Sequence, residues 1–381
     1  MQNQTFSYRA AAGWPHPLPT GLDGPSTLVL AFGAKRYGAD GAALAELVAA
    51  FPQSLVVGCS TAGEIGSGVV DDDTVSVSVS RFDHTRLALA VTDVAGPEDS
   101  GAAGERLASQ LQGAGLRAVF VLSEGLAVNG TPLVAGLARG LPEGIAITGG
   151  LAGDGSRFGS TWVLAGGVAR SNQICAIGFY GERLDVGRGC AGGWLDFGPR
   201  RRITRSQGNV LYELDGRPAL DLYKEYLGTQ AAGLPGTALL FPLSIRRPGS
   251  VGRPLVRTIL SIDEAQRSMT FAGDVPLGHE ACLMRSTDEG LIGSAARAMT
   301  QATAGVARAA GGSLVVAVSC VGRRLMLGER TDEEVEAILD AAPNGANHVG
   351  FYSYGEIAPG LEGGASELHN QTLTVTVFAE H

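Results

Sequence analysis

The chain is short of cysteine, of basic charge and of long apolar runs, and each shortage removes a class of function. Five cysteines stand in 381 residues: Cys59, Cys175, Cys190, Cys282 and Cys320. They are odd in number and never spaced as CxxC, which argues against a disulfide framework or a structural zinc and for a reducing compartment. Lys and Arg total 29 against 38 Asp and Glu, a formal net charge of −9. Non-specific binding to nucleic acid or to anionic membrane rewards a basic face, so neither partner is expected. No window holds the roughly 18 apolar residues of a membrane span. The opening stretch, MQNQTFSYRAAAGWPHPLPTG, has no charged-then-apolar leader, and a cytoplasmic protein is the expectation.

Apolar residues make up 45% of the chain and charged residues 18%, enough for sizeable cores and too apolar for disorder. At this length two domains are expected. Glycine is the unusual count, with 56 residues gathered at the ends of apolar runs. There it permits a positive φ or the close approach of another group, in tight turns or in loops that line a ligand.

One strand end is written twice. VVGCSTAGEIGSG (56–68) and HVGFYSYGEIAPG (348–360) both place a glycine, Gly58 or Gly350, then four residues, then Gly-Glu-Ile. Both follow a strand-helix-strand pattern: TLVLAF, DGAALAELVAAF and SLVVG in the first case, SLVVAVSC, TDEEVEAILDAA and NHVGF in the second. A third copy runs AVFVLS, TPLVAGLARGL, IAITGG and ends in LAGDG, placing Asp154 after Gly153. Alternating runs such as TVSVSVSRF and QTLTVTVFAE follow the units and predict antiparallel strands. The expected fold is α/β: two lobes with mixed β-sheets built from repeated strand-helix-strand units, which an internal duplication would explain. Thr331 and Glu334 predict a capping box, and 288–310 reads as one long helix.

The motifs VVGCSTAGEI, GGLAGDG, GERTDEEVEAI, GFYSYGEI and ELHNQTLTVTVF resemble, in this order, the FIST family of bacterial sensory proteins. The resemblance runs from about residue 27 to 378 and implies a FIST N-type lobe over 27–205 and a FIST C-type lobe over 206–381. It implies a sensor of small ligands, amino acids or their derivatives, acting on a separate signalling partner such as a histidine kinase or a cyclic-dinucleotide enzyme. Some members resemble haem-binding nitric-oxide sensors, which keeps haem open as a cofactor. No kinase, methyl-accepting or cyclase segment is recognisable here.

A sensor pocket needs a concave wall with a few converging polar groups. Gly63 and Gly355 allow backbone approach, Glu64 and Glu356 could each bind an ammonium, and Ser60, Thr61, Tyr352, Ser353 and Tyr354 add hydroxyls. Asp154 is a third acid. Arg324, or its neighbour Arg323, could meet a ligand carboxylate. His369, Asn370 and Gln371 form a polar cluster entering the last strand. Each has a structural alternative: a carboxylate after a glycine turn also caps backbone N–H groups, and His369 and Asn370 could simply tie down the strand. His369 could also ligate haem iron, although CxxCH is missing and the other histidines are isolated. A thiol enzyme would need Cys59 or Cys320 as nucleophile with His369 as base, and buried small hydrophobes are the commoner role for such cysteines. The glycine-rich 58–68 lacks the Walker lysine and GxGxxG spacing, and Asp71–Asp73 reads as a solvated turn more than a metal site.

Overall fold

A computed structural model of the chain describes residues 1–15, 17–66, 68–250, 254–304, 306, 312–360 and 364–381. Each strand-helix-strand stretch forms a parallel pair. Thr27–Gly33 lies beside Leu55–Ser60, Leu116–Ser123 beside Ala146–Leu151, and Leu314–Cys320 beside Asn347–Ser353. The first strands of the pairs are aliphatic and almost wholly buried, as parallel strands covered on both faces must be. An antiparallel return strand then pairs with the first strand of its own unit: Thr74–Arg81, Gln173–Tyr180 or Leu373–Glu380. One more antiparallel strand lies outside each: Gln2–Arg9, Arg86–Asp93 or Leu184–Ala191. The mixed α/β architecture expected above is the one observed.

The chain between parallel pair and return strand leaves its own unit. The hairpin Glu64–Gly66 with Val69–Asp71 joins Asn347–Ser353 of the third unit. Val163–Ala165 with Val168–Arg170 joins Leu55–Ser60 of the first, and Gly355–Pro359 with Ser366–His369 joins Ala146–Leu151 of the second. The exchange is cyclic and completes three six-stranded sheets. Where the strand ends meet, three backbone bonds close a ring. Ala62 N–H donates to the Tyr352 carbonyl (2.8 Å), Tyr354 N–H to Leu151 (3.2 Å), and Gly153 N–H to Ser60 (2.9 Å). The repeat in this body is therefore threefold, and two of its three sheets mix residues from before 205 with residues from after 206.

The repeated glycine has a steric cause. A Cβ on Gly58, Gly149 or Gly350 would lie 1.9, 2.0 or 2.1 Å from the carbonyl oxygen of Ala31, Val121 or Ala317 on the paired strand. Equivalent left-handed residues, Asp73, Asn172 and Gln371, precede the three return strands at φ of 60, 55 and 60°.

Among the described residues, nine strands from Leu195–Asp196 to Glu280–Arg285 form a fourth, antiparallel sheet around a core of its own that includes Ile203, Leu211, Phe271 and Leu283. It is inserted in the third unit, between Leu184–Ala191 and the helix Asp288–Thr303. Three expectations change in detail. The helix read over 40–51 is two, Arg36–Asp40 and Ala42–Ala50, divided at Gly41, whose φ is +65°. The predicted capping box is not formed: Thr331 donates to the Gly328 carbonyl, while Glu334 turns inward. The helix from Asp288 ends at Thr303; most of the predicted remainder, 304–310, lies outside the described residues.

Candidate functional site

Glu64 and Glu356 end equivalent turns and are held identically. Glu64 accepts from the Thr61 hydroxyl through Oε1, and from the N–H (3.0 Å) and hydroxyl (3.1 Å) of Thr74 through Oε2. Glu356 accepts from the Ser353 hydroxyl (2.6 Å) through Oε1, and from the N–H (3.1 Å) and hydroxyl (2.9 Å) of Thr372 through Oε2. Each carboxylate thus locks a strand end to the start of its return strand. Burial pushes Glu64 up to about 7 and Glu356 up to about 8, against the hydroxyl and N–H bonds that favour the charged form.

The two copies differ in access. Beside Glu64 opens a cleft of about 500 Å³ to which all three units contribute. The first unit supplies Lys35, Thr61, Gly63, Glu64 and Asp72, the second Arg157, and the third Arg324 from the helix Val321–Leu327. Beside Glu356 the equivalent space is filled from the inserted sheet and its connections. Gln371, just ahead of Thr372, donates from Nε2 to the Leu239 carbonyl, and its own carbonyl accepts from the Trp194 indole.

The structure therefore gathers Thr61, Gly63, Glu64 and Arg324 around one cleft and sends the other candidate residues elsewhere. Ser60 accepts the Trp162 N–H and is buried. Asp154 is fully buried; it accepts from the Tyr354 hydroxyl and from Gly159 and Ser160 N–H, and lies 3.6 Å from Lys35 Nζ. Tyr354 also stacks on Phe158, so it braces the second turn. Tyr352 donates to Glu334, which also binds Ser319 and the buried Arg323 guanidinium. Gly355 opens the strand paired with Leu151. His369 is buried with Nε2 3.3 Å from the carbonyls of Ala358 and Pro359, and burial lowers it to about 4. It is not among the residues that line this cleft. Asn370 is fully buried with neither amide atom hydrogen-bonded.

Arg324 is already engaged. It donates to the Ala62 carbonyl (2.6 Å) and bidentately to Asp72 (2.8 and 2.7 Å), and this pairing holds Asp72 below the usual carboxylate range. Lys35 and Arg157 carry no sequence signal as site residues because they lie on separate segments and share no motif, and Asp72 belongs to the run Asp71–Asp73 read above as a solvated turn. Arg157 is exposed at the cleft and makes no hydrogen bond or ion pair among the described residues. Cys59 and Cys320 are buried and burial pushes both thiols well up, the state of inert structural cysteines. Among the described residues no group of three or more His, Cys, Asp or Glu is placed to hold a metal, and no helix is long and apolar enough to cross a membrane.

No curated protein matches the chain. Among solved structures, the cyanuric acid hydrolase from A. caulinodans aligns over 78% of this chain and 99% of that one at 14% identity, with a TM-score of 0.19; likeness at that level carries no argument. The family comparison is decisive. Residues 27–217 match the FIST N domain and residues 219–359 the FIST C domain, both of them sensory domains associated with signal transduction. The chain, with its two carboxylate-capped strand ends, belongs to the FIST family.

Proposed function

We propose that the chain is a sensor whose small ligand enters the Glu64 cleft, that the ligand is an amino acid or a derivative, and that the output is read by a separate signalling protein such as a histidine kinase or a cyclic-dinucleotide enzyme. The observation that carries this reading is the arrangement of charge in a cleft of ligand size. Glu64 sits at its wall with one acceptor position of Oε1 unused, while Arg157, without a hydrogen bond or ion pair among the described residues, and the half-exposed Lys35 supply cations. An ammonium at Glu64 and a carboxylate at Arg157 would satisfy both ends of a zwitterion. Because the walls come from three units, a ligand can bias their relative placement, provided it binds one arrangement better than another.

Isothermal titration against a panel of amino acids and their derivatives tests the reading. One chemical class should bind saturably, at least tenfold more weakly in Glu64→Gln and in Arg157→Ala. Binding should also strengthen from pH 6 to 8, because an ammonium needs Glu64 ionised and its folded value lies near 7. Silence across the panel, or affinities untouched by both substitutions, would end this assignment.

A further inference from the structure

A second cavity, of about 350 Å³, lies between the third sheet and the inserted sheet. Its wall is apolar: Trp194, Val256 and Met284 are buried and form one cluster with Leu291 and Leu327. The lining Leu195 is 66% exposed; Phe197, two residues on and outside the lining, is 45% exposed with the Arg285 guanidinium over its ring. An exposed leucine at the rim of an apolar cavity suits a binding site more than a solvated edge. Arg297, on the helix Asp288–Thr303, is the one charged residue among the lining groups and makes no hydrogen bond or ion pair among the described residues.

From this geometry we infer that the cavity binds a small carboxylic acid with an aromatic or branched apolar body. The body fills the space against Trp194, Val256 and Met284, and the carboxylate meets the guanidinium of Arg297, whose planar fork suits it. Among the described lining residues, one cation in an apolar wall fits a monoanion better than a phosphate, and the nearby Arg285 guanidinium is laid over the Phe197 ring, 4.7 Å from its centroid. The cavity reaches Thr372, whose hydroxyl donates to Glu356, and the Thr287 hydroxyl and the backbone of Gly192, Gly193 and Gly290 are further polar groups among its described lining residues. This site is separate from the Glu64 cleft, shares none of its lining residues, and its occupancy does not depend on the assignment of that cleft.

The test uses the full chain and two matched probes, phenylacetate and the uncharged 2-phenylethanol. Tryptophan fluorescence should respond saturably to phenylacetate, and the response should be lost in Trp194→Phe while calorimetric binding persists. Arg297→Ala, on an exposed helix face, should weaken phenylacetate at least tenfold and leave 2-phenylethanol unchanged, with Arg297→Lys intermediate. Arg157→Ala, which belongs to the first cleft, should leave the affinity for phenylacetate unchanged. Absence of saturable binding overturns the inference, as does phenylacetate binding indifferent to Arg297→Ala. Binding abolished by Arg157→Ala would place the probe in the first cleft and overturn it equally.

Discussion

At the scale of single residues, the buried acids govern how stability responds to pH. A carboxyl raised to about 8, as Glu356 is, keeps in the folded state a proton that the unfolded chain releases near its ordinary value of 4.5. Its contribution is therefore complete at low pH and is lost as pH climbs to 8, by about 1.4 kcal/mol per unit for one such group. Glu64 acts likewise up to about 7. His369, depressed to about 4, works the other way and stops changing above the ordinary histidine value near 6.5. Thermal melts from pH 6.5 to 8 should thus show falling stability in the wild type and a shallower fall in Glu356→Gln; superimposable slopes would refute the linkage. Arg323 and Glu334 pose a different case, an ion pair with both side chains at 0% exposure. Glu334→Ala strands a guanidinium that also binds the carbonyls of Gly192 and Leu291, and urea unfolding should register a loss of about 3–5 kcal/mol.

At the scale of elements, the repeated glycine makes a sharp prediction. Gly350→Ala would drive a methyl into the Ala317 carbonyl on a neighbouring strand that cannot yield, costing about 3 kcal/mol in a denaturant titration, toward the upper end for overpacking. Gly345→Ala, at φ +78° with open space around it, should cost less, through backbone strain alone. The parallel strands and the motif turns were legible in the sequence because apolar runs ending in Gly-x4-Gly-Glu are local signals. The Thr61–Glu64 and Ser353–Glu356 contacts are local too, three residues apart. Thr74 and Thr372 were not, since nothing near them announces which acid they meet. Nor could the sequence separate the open carboxylate from the closed one. That difference is made by Leu239 and Trp194, more than a hundred residues from Gln371, and by Lys35 and Arg157, which carry no pattern. The Thr331–Glu334 spacing signals a capping box, whereas the partners Glu334 actually meets, Ser319, Arg323 and Tyr352, are assembled only by packing.

At the scale of the whole molecule, exchanged hairpins make the three units interdependent. A fragment of residues 1–217 keeps the first sheet's strands, yet it leaves Glu64–Asp71 without Asn347–Ser353 and removes the edge hairpin from Ala146–Leu151. Neither this fragment nor 218–381 should melt cooperatively alone, and mixing them should restore near-ultraviolet dichroism; independent sharp melts would show that the exchange is dispensable. The threefold body also holds two carboxylates with the same three donors, one beside a cleft and one sealed by an inserted sheet. The protein consequently carries its own internal control. Chemistry observed at Glu64 and missing at Glu356 is owed to access, because the acid and its immediate ligation are duplicated and only the doorway is not.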